Sequence, residues 1–183
     1  MGVVARRGVA LTFVSVFRLG FVPVMPGTVG SFVGVCIAVA LNHTHYLRPV
    51  LLVICFVLFS LSLIALEVVL KNISCGNKLV TTKHSGKYDT DPPYVIIDEV
   101  VGQLIALAIP AASEYISLPK MLLCFAFFRL FDILKPWPIR QIEKKISQKE
   151  GLRSLGIMFD DILAGLCAGV VVKLIMMAIT KFF

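Results

Sequence analysis

Five long apolar runs dominate this sequence, and each approaches the roughly 20 residues that a helix needs to cross a bilayer core. They cover residues 28–47, 50–70, 94–112, 118–134 and 156–183. Hydrophobic residues make up 58% of the chain and charged residues only 16%, whereas a soluble domain carries about 25% charged residues. The sequence therefore predicts an all-α fold, a polytopic membrane helical bundle of about five spans that forms a single domain over residues 1–183.

A sixth apolar stretch, residues 8–24, follows Arg6 and Arg7 and superficially resembles a secretory signal. Arg18 interrupts it, no small-x-small cleavage site follows, and further apolar runs come after it. We interpret it as a retained N-terminal interfacial or re-entrant segment. The sequence alone leaves open whether it spans the membrane, re-enters it or lies flat.

Basic residues are unevenly distributed among the links between the runs. The N-terminal arm, the 71–93 link and the 135–155 link hold most of the 18 Lys and Arg residues. Because cytoplasmic loops carry an excess of Lys and Arg, this bias favours five spans with the N-terminus inside. The formal net charge of +7 then indicates an anionic membrane surface as partner and no nucleic acid, since the basic residues flank apolar runs.

Five of the 11 acidic residues lie within or beside these apolar spans, where a charge costs a few kcal/mol or more. With the predicted topology, all of them fall near the cytoplasmic side, which predicts one site at that depth. We expect the helix N-termini of the third and fifth spans, together with bound cations, to stabilise the acids. Carboxylates without His or thiolate partners suit Mg²⁺ and a phosphorylated substrate. The acids are Asp98, Glu99, Asp132, Asp160 and Asp161.

Other interpretations of these features stay open from the residues alone. Acidic residues at span ends can serve only as interfacial anchors, and Arg129 and Asp132 are i, i+3 neighbours that could neutralise each other. Intramembrane acids also mark ion or small-solute transporters. The turn at residues 26–31 could receive an anion at a helix N-terminus. Gly165 and Gly169 predict close helix packing.

Four sequence blocks together resemble the phosphatidylglycerophosphatase A family. They are PGTVGS at 26–31, DPPYVIIDEVVG at 91–102, FRLFDILKPWPI at 128–139 and GIMFDDILAG at 156–165. The resemblance implies a Mg²⁺-dependent phosphatase of the bacterial cell inner membrane, multi-pass and with its active site facing the cytoplasm. It would hydrolyse phosphatidylglycerophosphate, a phospholipid substrate in the cytoplasmic leaflet, to phosphatidylglycerol and inorganic phosphate.

The same resemblance implies a set of site residues. As a hypothesis, one or two Mg²⁺ ions are held by Asp98, Glu99, Asp160 and Asp161, which with Asp132 form the catalytic set. Substrate phosphate would be bound by Thr28, Ser31, Arg129 and Lys135, with Asp91 in support. The sequence does not decide which carboxylate acts as base or nucleophile, the oligomeric state or the acyl-chain preference.

Overall fold

The protein is all-helical in the computed structural model, which describes residues 3–44, 46–74, 92–111, 116–137, 141, 146 and 152–182. Those residues contain six α-helices and no strand, which confirms the predicted all-α class. The helices are α1 Val3–Val14, α2 Pro26–Leu41, α3 Leu47–Ser74, α4 Ile97–Ala108, α5 Leu118–Leu134 and α6 Arg153–Phe182.

Within the described residues, two helices are long and apolar enough to cross a membrane, by length and composition. They contain the stretches Leu47–Lys71, of 25 residues, and Arg153–Lys181, of 29 residues. At a rise of 1.5 Å per residue, α2, α4 and α5 extend only about 24, 18 and 26 Å, short of a core about 30 Å thick. The predicted count of five spans therefore goes beyond what the helix lengths show.

Local chemistry explains where the shorter helices end. α2 ends at Leu41, six residues before the predicted boundary, and the carboxamide of the next residue, Asn42, bonds both backbone groups of Ile116 at 2.8 and 3.1 Å. α5 runs over the predicted residues 118–134. It ends at Lys135, which has the left-handed φ of 41° and precedes Pro136, a residue that cannot continue a helix.

The central element is α4, which packs against α2, α3, α5 and α6. Every residue of α4 except Glu99 and Ile105 is buried. Because its neighbours cover it on all sides, a helix of 12 residues is held in place by packing. Whatever α4 carries near its N-terminus is thus positioned inside the bundle.

α4 and α6 cross with their backbones in contact. A Cβ atom at Gly165 would lie 2.2 Å from the Gly102 carbonyl oxygen, and one at Gly169 would lie 2.9 Å from the Ala106 carbonyl oxygen. The predicted close packing at these two glycines is confirmed. This contact fixes the α6 residues just before Gly165 against the first turns of α4.

The N-terminal segment is a short helix followed by a bent turn. α1 packs on α3, and Val16, Phe17 and Arg18 then adopt left-handed backbone conformations. The turn leads into a 3-10 helix at Leu19–Phe21, where Gly20 lies against the Tyr94 carbonyl oxygen. The predicted stretch 8–24 is therefore not one continuous helix, and it ends beside the start of α4.

Candidate active site

Two adjacent carboxylates of α4 and one carboxylate of α6, far away in the sequence, meet at the α4–α6 crossing. One ligand oxygen from each of Asp98, Glu99 and Asp161 lies within 4.8 Å of the other two. Asp98 and Asp161 are both only 4% exposed. Three negative charges this close in a buried position repel one another, so protons or cations must offset them. We call Asp98, Glu99 and Asp161 the carboxylate cluster.

α5 contributes an ion pair at the edge of the cluster. Arg129 Nη1 donates to Asp132 Oδ2 over 2.6 Å, and both side chains are largely buried. The Asp132 carboxylate also lies near enough to Asp161 for the two groups to interact electrostatically. From the sequence alone, Arg129 and Asp132 could simply neutralise each other. In the structure this pair also lies next to the carboxylate cluster.

Asp160 is not a member of the carboxylate cluster and forms an ion pair with Lys135 at the end of α5. Asp160 and Asp161 were expected to act together on a metal, but neighbouring helix residues lie about 100° apart around the helix axis. The structure brings Asp161 to the cluster and Asp160 to the Lys135 ammonium group. Lys135 was expected to bind phosphate, and in the structure it pairs with Asp160.

The start of α2 closes the site on a second side. A Cβ atom at Gly27 would lie 2.5 Å from Glu99 Oε1 and 3.1 Å from Arg129 Nη1, so both side chains reach the first turn of α2. The Thr28 hydroxyl is buried with no hydrogen-bond partner among the described residues. Ser31 is also buried, but its hydroxyl donates to the Gly27 carbonyl oxygen at 2.9 Å.

The expected dipole stabilisation holds for one acidic pair and is wrong for the other. Asp98 and Glu99 lie in the first turn of α4, and Asp98 Oδ1 accepts the Glu99 backbone N–H at 3.1 Å. α6 begins at Arg153, so its first turn contains no acid. Because the dipole effect fades after the first turn, it does not stabilise Asp160 or Asp161.

Comparison with known proteins identifies the family. The phosphatidylglycerophosphatase A family model matches residues 12–176, nearly the whole chain. The chain belongs to the phosphatidylglycerophosphatase A family. It is accordingly a phosphatase, a phosphoric monoester hydrolase, as the four sequence blocks predicted.

Individual relatives agree over most of their length. The chain is 36% identical to phosphatidylglycerophosphatase A of Haemophilus influenzae over 85% of this chain and 82% of that protein. It is 30% identical to phosphatidylglycerophosphatase A of Escherichia coli over 81% of this chain and 73% of that protein. It is also 33% identical to a Bacteroides thetaiotaomicron protein described as a candidate phosphatidylinositol-3-phosphatase, over 81% of this chain and 82% of that protein. No solved structure matches the chain.

The carboxylate cluster has the chemistry of a divalent metal site. All of its donors are carboxylate oxygens, the ligands that Mg²⁺, Ca²⁺ and Mn²⁺ prefer. Oxygens around one Mg²⁺ ion at about 2.1 Å are roughly 3 to 4 Å apart, so small side-chain rotations would close the cluster on an ion. The cluster could bind a metal, and its donors favour a hard cation.

Two features of the site were not predicted. Gln103 lies one turn after Glu99 and is fully buried, although the sequence does mark it as the one amide within the apolar run of α4. Gly27 and Gly102 lie at the contacts that bring α2 and α6 against α4, and a single sequence carries no signal for those contacts. Asp91, predicted as a supporting residue, lies outside the described residues.

Proposed function

We propose that this protein hydrolyses phosphatidylglycerophosphate to phosphatidylglycerol and inorganic phosphate in a Mg²⁺-dependent reaction. The observation that carries this proposal is the meeting of Asp98, Glu99 and Asp161 within 4.8 Å beside Arg129. A site that combines hard anionic ligands with a guanidinium suits a phosphomonoester and its counter-cation. The named relatives of Haemophilus influenzae and Escherichia coli support this choice of substrate.

In this proposal Asp98, Glu99 and Asp161 hold the metal, which would polarise phosphate oxygens and lower the pKa of bound water. Arg129 lies where its guanidinium can donate to phosphate oxygens while Asp132 fixes its direction. Lys135 adds a positive charge on the same side, restrained by Asp160. Thr28 offers a buried hydroxyl at the first turn of α2.

The proposal also places the site at the cytoplasmic face of a bacterial inner membrane. Its support is the concentration of basic residues in the links that flank the site, together with the bacterial relatives. Exposed Ile133, Leu134 and Trp137 continue the apolar surface past the end of α5, next to Lys135. Five membrane crossings, by α2 to α6, remain part of this proposal. The substrate's acyl chains would then stay in the inner leaflet.

A direct test is phosphate release by the purified full-length protein from phosphatidylglycerophosphate in mixed micelles. We expect release in Mg²⁺, loss of release in EDTA and recovery when Mg²⁺ is added in excess. Full activity in EDTA would contradict the metal assignment, and the absence of release under every metal condition would contradict the substrate.

The relative from Bacteroides thetaiotaomicron supports a second candidate function, hydrolysis of a phosphoinositide. Both candidates present a phosphomonoester on a polyol headgroup, so the same cluster could serve either. The two are separated by measuring kcat/KM for phosphatidylglycerophosphate and for phosphatidylinositol 3-phosphate side by side. We expect the first to be preferred, and a preference for the inositol lipid would reverse the assignment.

A further inference from the structure

Gln103 is a buried amide without a hydrogen-bond partner in the part of the chain that the structure describes. Its side chain is 0% exposed, and neither Nε2 nor Oε1 has a hydrogen-bond partner among the described residues. Burying an amide without partners destabilises a protein, and nearly all buried polar groups in native proteins are hydrogen-bonded. An amide in this position therefore indicates a ligand or a water molecule that bonds it.

The position of Gln103 relates it to the carboxylate cluster. Gln103 follows Glu99 by four residues, so the two side chains lie on one face of α4. Both face the glycines of α2, since a Cβ at Gly30 would lie 3.2 Å from Glu99 Cβ and one at Gly34 would lie 2.9 Å from Gln103 Cβ. Long side chains on a helix lean toward its N-terminus. The Gln103 amide therefore leans over the turn that carries Glu99.

The chemistry of a carboxamide restricts what it can bind. It offers two N–H donors and one carbonyl acceptor, so its best partner both accepts and donates a hydrogen bond. A hydroxyl group or a water molecule both accepts and donates. A phosphate dianion would use only the N–H donors of the amide, and a metal ion only its carbonyl oxygen. The site of a hydrolase must also hold the attacking water, and a glutamine performs that task in other phosphoryl-transfer enzymes.

We propose that the Gln103 carboxamide binds an O–H group beside Glu99. If that group is the attacking water, Gln103 is a positioning residue that orients it toward the phosphate of the bound substrate. If it is a hydroxyl of the substrate headgroup, Gln103 binds the substrate. This inference rests on the proposed function. In the reaction the water oxygen forms a bond to phosphorus and the ester bond from phosphorus to the headgroup oxygen breaks. The water gives up one proton and the headgroup oxygen takes up one, so the products are an alcohol and inorganic phosphate.

The test compares Gln103→Met with the wild-type protein, because methionine keeps the length of the side chain and removes the amide. If Gln103 holds the attacking water, we expect kcat to fall at least about tenfold with KM nearly unchanged. If the O–H group belongs to the substrate headgroup, KM rises instead. Both outcomes support the proposal and distinguish the two sources of the hydroxyl.

Thermal unfolding separates this role from a structural one. Because the Met variant loses a buried amide that no described residue bonds, we expect its Tm to equal or exceed that of the wild type. Unchanged kcat and KM would overturn the proposal, as would a loss of activity accompanied by a lower Tm. If the Met variant cannot be purified, Gln103→Asn replaces it, because its side chain is shorter by one methylene. The same changes in kcat, KM and Tm then test the proposal.

The matched control is Ser62→Ala on α3. Ser62 is also a fully buried polar residue, but its hydroxyl donates to the Leu58 carbonyl oxygen at 2.6 Å, away from the cluster. We expect this variant to keep its kcat and KM. A wild-type protein that releases no phosphate would count against the proposed function, whereas active wild type with unaffected Gln103 variants would count against this inference alone.

Discussion

The two acidic pairs of this protein occupy different positions on their helices. Asp98 and Glu99 lie in the first turn of α4, and both belong to the carboxylate cluster. Asp160 and Asp161 lie two turns inside α6, where Asp161 joins the cluster and Asp160 pairs with Lys135. The first pair thus contributes two oxygens to one place, and the second pair divides between two partners.

The difference shows that the surroundings of a helix decide what an acidic pair can do. The N-terminus of α4 is enclosed by α2, α5 and α6, so side chains that leave it in different directions still reach one site. α6 lies against α4 at Gly165 and Gly102 and also packs against α5. Asp161 therefore belongs to the carboxylate cluster, and Asp160 forms an ion pair with Lys135 at the end of α5.

The largest expected effect is that of neutralising one cluster carboxylate. We expect Asp161→Asn, and equally Asp98→Asn, to lower kcat/KM for phosphatidylglycerophosphate by more than about 100-fold, because metal coordination contributes several kcal/mol to such reactions. Phosphate release measures the effect. Circular dichroism of the purified variants checks that the helices remain, and wild-type turnover in either variant would remove that carboxylate from the site.

The next largest effect is expected at the α4–α6 crossing, which lies beside both acidic pairs. In Gly165→Val, the new side chain would collide with the Gly102 backbone, since even a Cβ would lie 2.2 Å from its carbonyl oxygen. We expect destabilisation of about 1–3 kcal/mol and a matching loss of activity as Asp161 shifts. Thermal unfolding in detergent measures it. A stable, fully active variant would contradict the close crossing.

A smaller effect is expected at the other member of the α6 pair. Asp160→Asn removes the partner of Lys135 and leaves the three cluster carboxylates in place. We expect a loss in kcat/KM of about tenfold, equivalent to roughly 1.4 kcal/mol, because the Lys135 ammonium group loses the carboxylate that positions it. Lys135→Gln should act similarly, and the double variant should lose little more than either single variant because the two residues act through one contact.

Two outcomes would contradict the different roles given to Asp160 and Asp161. If Asp160→Asn were as inactive as Asp161→Asn, both members of the α6 pair would belong to the catalytic machinery. If Asp160→Asn retained full activity, the pair with Lys135 would have no bearing on the reaction. Glu67→Gln serves as the control, since Glu67 forms only an exposed pair with Lys71 at 3.3 Å.

The sequence was informative about helices and about which residues carry charge into apolar surroundings. The five apolar runs each correspond to a helix, and the run at 118–134 has the same bounds as α5. The four blocks identified the family over most of the chain.

The arrangement of the site was harder to predict, for reasons of geometry. The start of α6 at Arg153 is not marked by a change in hydrophobicity, so the acids at 160 and 161 looked like the beginning of a helix. The direction of each acid depends on how α6 rotates against α4, which Gly102 and Gly165 settle by contact. Such contacts between distant residues are invisible in one sequence.

The central claim is that Asp98, Glu99 and Asp161 jointly hold one divalent cation. The most direct measurement is the affinity of the purified protein for Mn²⁺, a paramagnetic substitute for Mg²⁺, followed by electron paramagnetic resonance. We expect the wild type and Asp160→Asn to bind Mn²⁺ alike, and Asp98→Asn and Asp161→Asn to bind it at least about tenfold more weakly. Equal affinity in all four proteins would contradict the claim.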